Sequence, residues 1–396
     1  MVAFIISGLT LETAEEKNLI DIQSGNVTLM LEGENSLSNK TGGEKASVRV
    51  SSSASLTING TGNLNIYNGL EDGVHEANGA GIGGNFEESP KAITINGGTI
   101  TVEQYGTSAA IGGGARADSG KISITGGEID VTVLPAGGNI ESAGTGIGGG
   151  GENIKDSSLI GSAGSADISI TGGKITAHVE SAIFDFGSIS SGAAIGAGEN
   201  KGGTIYIGGD ADVHATAQNL ACAIGSSNAT WSSSGDNVFP PPEDPMNITI
   251  EGNAKVFAQT ESLDFYGQGA YSGAAIGMSV QNLQPCDITI GGNADVTARG
   301  SWYGAGIGGG YVQINKQAQP INITIQDNAK VDASAEVYGA GIGSGYGDAG
   351  AESATIVIKD NPTIVAKGGW GGAGIGGAKG TQGGSITITG GDITAE

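Results

Sequence analysis

Much of what usually builds a domain is scarce in this chain. Its 396 residues hold only two cysteines, Cys222 and Cys286, so no disulfide framework staples it. Seventeen basic against forty-one acidic residues leave a formal net charge of −24. A phosphate backbone needs a positive surface, so nucleic acid is excluded as a partner. Polyanionic glycans would in turn need a divalent cation as a bridge. No apolar run reaches the length of a membrane-spanning helix, which argues against membrane insertion. Residues 1–9 are apolar, but they are few and lack a basic flank, so they make a poor signal peptide. Aromatics amount to 5%, a share that together with abundant glycine would indicate disorder if the glycines had no order of their own.

They do have one. Glycine fills 75 positions, and the tract Gly304-Ala305-Gly306-Ile307-Gly308-Gly309-Gly310 recurs nine times with small variations. Its isoleucines are Ile82, Ile111, Ile147, Ile195, Ile224, Ile276, Ile307, Ile342 and Ile375, about 29 to 52 residues apart. A second tract follows each at a variable lag, as in Ile93-Thr94-Ile95, Ile122-Ser123-Ile124 and Ile248-Thr249-Ile250. Two linked tracts at one period describe a solenoid, in which no repeat buries its own apolar face.

Residues 79–107 give the plan of one coil. Ala80 and Ile82 share a parity that points them inward from a first short strand. A loop leads to Ile93-Thr94-Ile95, a second strand with isoleucines in and threonine out. Asn96-Gly97-Gly98 turns the next corner, and Ile100 and Val102 make an inward pair on a third strand. The expected fold is all-β, a right-handed parallel β-helix of about eleven coils, each of three short strands, roughly 50 Å long. Residues 1–396 read as a single domain. Residues 1–25 read as a cap, in which Thr13-Ala14-Glu15-Glu16 fits a capping box for a short helix. The last residues, Asp392 to Glu396, fall in mid-coil, which points to an excised part of a larger surface protein. Thr94, Ser123, Ser169, Thr249, Thr289, Thr324 and Thr387 should form an outward hydroxyl ladder on the second wall. Its neighbouring column is irregular, which counts against ice binding. Cys222 takes the place that alanine or threonine holds two residues before the other motif isoleucines, and reads as a small buried hydrophobe.

Residues 54–66, followed by the turn at 79–84 and by Ile93-Thr94-Ile95-Asn96-Gly97-Gly98-Thr99-Ile100-Thr101-Val102, resemble carbohydrate-binding-domain proteins of clostridial and other Gram-positive cell surfaces. The resemblance is best over residues 25 to about 132 and continues elsewhere only through the glycine-rich blocks. It implies a pectate-lyase-like right-handed parallel β-helix, extracellular and at the cell surface, binding a polysaccharide or host glycan without obvious catalysis. The family's calcium sites use aspartate-rich turns. This chain has no Asp-Asp pair, so no metal ligand is carried across, and calcium is the only cofactor left open.

Enzymatic chemistry finds little to stand on. A polygalacturonase-type site wants paired aspartates and a Gly-His-Gly turn, yet His75, His178 and His214 sit in other contexts. A lyase-type site wants an arginine base beside calcium-binding acids, and only Arg49, Arg116 and Arg299 exist. His178 and His214 are expected one coil apart on the third wall, near Asp212 and Asp130. That set could hold zinc or move protons, against the plainer reading of an exposed polar ladder. The residues flanking each motif isoleucine are glycine or alanine, such as Gly81 and Gly83 or Gly306 and Gly308, and parity points the preceding one outward. The first wall should then be a bare strip open to a flat polymer or to a second solenoid side by side. Along its approach edge stand Tyr105, Tyr271, Trp302, Tyr303, Tyr338 and Trp370, the expected ligand-binding residues, since aromatic rings grip apolar sugar faces. The loop over residues 226–246, with Trp231 and Phe239-Pro240-Pro241-Pro242, is a competing surface, as are Phe184, Phe186, Phe265 and Tyr266. Non-catalytic glycan binding is the leading expectation. A structural or adhesive stalk comes second, and a polysaccharide lyase or glycoside hydrolase third.

Overall fold

The computed structural model describes residues 2–70, 76–135, 144–151, 163–183, 189–190, 192–199, 201–227, 244–262, 271–280, 284–312, 320–347 and 354–396. His75, Trp231, Phe239 to Pro242, Phe184, Phe186, Phe265 and Tyr266 lie outside the described residues. The described residues fall into two compact units, one ending at Glu199 and the other beginning at Lys201.

Each unit is a right-handed parallel β-helix with three walls, and among the described residues there is no helix. In the first unit the second wall stacks Val2–Ser7, Gly25–Glu32, Ala54–Gly60, Ala92–Ile95, Lys121–Ile124 and Ala166–Ile170 in parallel register. The third wall runs from Thr10–Thr13 to Lys174–Val179, and the first wall from Ile20–Ile22 to Ile195–Glu199. The second unit repeats the plan, from Gly203–Ile207 to Ser385–Ile388 on the second wall and from Asp212–Gln218 to Asp392–Ala395 on the third. Its first wall runs from Ile224–Ser227 to Ile375–Gly376.

Register places like on like. Ile93 pairs with Leu56 and Ile122, and Ile288 with Ile248 and Ile323. β-Branched side chains have few χ1 choices, so identical residues nest without losing rotamer freedom from coil to coil. Most of the hydroxyl ladder forms: Thr57, Thr94, Ser123 and Ser169 are successive partners, and so are Thr249, Thr289 and Thr324, but Val357 separates Thr387 from the rest.

The expected N-terminal cap is a coil instead. Val2–Ser7 pairs residue by residue with Val27 to Glu32, one rung before the point where the sequence pattern becomes clear. Thr13 closes a strand and begins no helix. Its hydroxyl accepts the Glu15 amide at 3.0 Å in a tight turn, a local bond that serves a turn as well as it serves a helix start.

Polar groups also enter the first unit's interior, which the alternation pattern does not announce. Asn39, Asn68 and Gln104 are fully buried. The Asn68 amide donates to Gln104 Oε1 at 2.9 Å and to the Gly79 carbonyl at 2.8 Å, and Gln104 Nε2 donates to Ser108 Oγ at 2.7 Å. The ladder caps carbonyls at the corner before the first wall, where the chain is too bent for strand pairing to reach them.

Candidate functional site

The first wall is not the open strip that side-chain parity predicts. In coil after coil the amide two residues before the motif isoleucine donates to the carbonyl two residues after it. Ala80 reaches Gly84 at 2.9 Å, Ala305 reaches Gly309 at 2.9 Å, and Ala340 reaches Ser344 at 3.1 Å. The tract is therefore a pinched five-residue loop, in most coils with only Ile-Gly extended, and alternation cannot be counted through it. The residue before the isoleucine turns inward. Gly81, Ala110, Ala194, Ala223, Ala275, Gly306 and Gly341 are all buried. A β-carbon on Gly81 would lie 2.5 Å from Val102 Cγ1, and one on Gly306 would lie 2.9 Å from the Ser334 backbone. What approaches the bare strip is the chain's own third wall.

The pinch has a second effect, which creates a surface. Residues four before and four after the motif isoleucine are brought to one outer corner. In the second unit these positions are Tyr303 and Tyr311 around Ile307, and Tyr338 and Tyr346 around Ile342. Tyr271 stacks on Tyr303 with ring centroids 5.6 Å apart, and Tyr303 stacks on Tyr338 at 5.5 Å. Tyr311 and Tyr346 form a parallel file at 5.8 Å, joined to the first by Tyr303–Tyr346 at 5.0 Å. Trp302 leans on Tyr303 at 6.3 Å, and Trp370 on Tyr338 at 5.9 Å. Lys379, four past Ile375, ends the second file with Nζ 4.2 Å from the Tyr338 ring centre and 4.9 Å from that of Trp370. Such cation–π contacts at exposed sites are worth about 0.5–1 kcal/mol.

Five of the six expected aromatics thus belong to one row. Tyr105 belongs to the first unit, where its phenol donates to Glu103 Oε1 at 2.5 Å. Tyr311, Tyr346 and Lys379 complete the row and were not anticipated. Their signal was present, since each stands at a fixed offset past a motif isoleucine, but only the pinch makes that offset adjacent to the approach edge. Most ring faces in the row cover one another. Burial, and then neighbouring phenols, push the Tyr271 and Tyr303 hydroxyls above their ordinary pKa, so both stay protonated at neutral pH. Trp370 differs, with 74% of its surface exposed at the end of the row.

The histidine set is divided between the two units. His178 lies in the first unit with Nε2 3.7 Å from Glu180 Oε1, and Asp130 pairs with Thr176 there. His214 lies in the second unit, its ring tilted against Phe257 with centroids 4.5 Å apart. Among the described residues no three of His, Cys, Asp and Glu are grouped to hold a metal ion. Cys222 is buried against Ala274 and Ala305, and burial pushes its thiol up to about 12, so it is the inert small residue expected of its position. Comparison with protein-family models, with curated proteins and with solved structures returns no match. The functional reading therefore rests on the site itself.

Proposed function

We propose that the second unit binds a polysaccharide or host glycan without catalysis, at the outer surface of a bacterial cell. The observation that carries this reading is the aromatic row. It runs across four successive coils and ends in Trp370, whose indole is, among the described residues, the most exposed large apolar group at 74%. An exposed ring with phenol hydroxyls and an ammonium beside it offers what a sugar needs: an apolar platform and polar groups to fix orientation. Sugars would meet the Trp302 and Trp370 faces and the outer edges of the tyrosines, because the tyrosine faces are largely taken up by one another. The extracellular setting is supported by the resemblance of residues 25–132 to cell-surface proteins.

Affinity electrophoresis through gels holding pectin, xylan or mucin tests the reading. The wild type should be retarded by at least one of them. Trp370→Ala and Trp302→Ala should each lose most of that retardation. Variants retarded as strongly as the wild type would remove the row as the binding surface. A glycan array probed with and without calcium would show whether a cation takes part.

The mutual stacking of the tyrosines favours a second reading, in which the row is a brace along a structural stalk. Aromatic pairs contribute about 0.5–1.5 kcal/mol each beyond area burial. In that case the array is blank, and Tyr303→Ala lowers the unfolding midpoint with no binding to lose.

A further inference from the structure

Beside the row, the third wall of the second unit carries a groove of about 520 Å³ lined by Phe257, Gln259, Thr260, Arg299, Gly300, Ser301, Ser334 and Glu336. A volume of this size suits one or two sugar rings. Register explains its make-up. Gln259, Arg299 and Ser334 are successive partners in one outward column, so their side chains stand side by side across three coils. Phe257 stands in the adjacent column, packed on one side by His214 with ring centroids 4.5 Å apart. Arg299 is held in place by Asp332, donating from Nη1 to Oδ1 at 2.9 Å and to the Asp332 carbonyl at 2.9 Å.

Ser301 backs the groove. Ser301, only 4% exposed, keeps its hydroxyl buried with no hydrogen-bond partner in the protein. Its amide, in contrast, donates to Thr260 Oγ1 at 3.0 Å, and its carbonyl accepts the Ser272 hydroxyl at 2.9 Å. A buried unmet hydroxyl costs about 1–3 kcal/mol, and this one lies behind the lining, out of a ligand's direct reach.

We infer that this groove is a separate subsite for a single neutral pyranose unit of the glycan. For the class of its ligand it rests on the reading given above. Phe257 offers an apolar platform, Gln259 and Ser334 offer donors and acceptors, and the Arg299–Asp332 pair presents both to neighbouring hydroxyls. Because Asp332 matches the Arg299 charge and Glu336 stands on the rim, no net positive charge remains to hold a uronate or sulfated sugar.

The test titrates the full chain with methyl glycosides of glucose, galactose, N-acetylglucosamine and galacturonic acid, followed by NMR. At least one neutral glycoside should bind in the millimolar range, and more tightly than the uronide. Ser334→Trp should weaken it tenfold or more by filling the groove, and Gln259→Ala severalfold. Ser301→Ala should leave binding unchanged, with an unfolding midpoint unchanged or higher. Absence of neutral glycoside binding, preference for the uronide, or Ser334→Trp and Gln259→Ala binding like the wild type would each overturn the inference. Polymer retention that depends on Trp370 without any glycoside binding would sink the groove alone. Glycoside binding without polymer retention would sink the row alone.

Discussion

Gly308 adopts a φ of +131°, and a β-carbon there would sit 1.9 Å from the carbonyl oxygen of Gly343 in the next coil. Its counterpart Gly83 would meet Gly112 O at 1.8 Å. The glycine after the motif isoleucine is thus fixed twice in these coils, by backbone conformation and by close approach of the neighbouring coil. Gly308→Ala should lower stability by about 2 kcal/mol or more, read from urea unfolding. Gly383→Ala, where nothing lies within 4 Å of the added carbon, should change it by less than about 0.5 kcal/mol. Equal effects at the two sites would show that the pinch is not under steric control. Residue identity alone predicted an unusual wall. It gave the wrong sense, because small residues leave a surface bare in a strand but let backbones meet in a loop.

Among the elements, the first wall of the first unit is tied down by an ion cluster. Arg49 Nε donates to Glu88 Oε2 at 2.8 Å, and Nη1 to Asp21 Oδ1 at 3.0 Å. Burial by itself would raise the Glu88 carboxyl. The Arg49 guanidinium and the Asn85 amide outweigh it and hold the group below its ordinary value of 4.5. A folded-state pKa below the unfolded one contributes stability that is present above the unfolded value and is lost as pH falls through the folded value. The wild type should therefore lose its advantage over Arg49→Met as pH drops below about 4.5, measured as the gap between their unfolding midpoints. A gap that does not narrow in acid would show that the cluster contributes packing and no charge pairing. This cluster was hidden from the sequence, because its members lie in different coils and only register makes them neighbours.

For the molecule as a whole, repetition distributes stability over many similar interfaces between neighbouring coils, and the surface is dominated by carboxylates. With a sequence pI near 4.3, self-repulsion fades in mild acid. Solubility should pass through a minimum close to that pH, followed by turbidity. A minimum displaced by more than a unit would mean that many carboxylates are neutralised in the folded chain.

The amino-acid sequence determined the all-β solenoid, the isoleucine files and the threonine ladder. Each depends on a period of two along a strand and a near-constant return of the chain, and both are written in the order of residues. It also marked five of the seven rings of the aromatic row. Tertiary structure alone decided which way the glycine tracts face, since a hydrogen bond across five residues breaks the alternation that a reader must assume. That one bond hides the strip meant to hold a ligand and draws Tyr311, Tyr346 and Lys379 beside Tyr303 and Tyr338. The groove around Phe257 and Arg299 was equally illegible, because residues about 35 to 40 apart in the chain become neighbours only when coils of unequal length settle into one register.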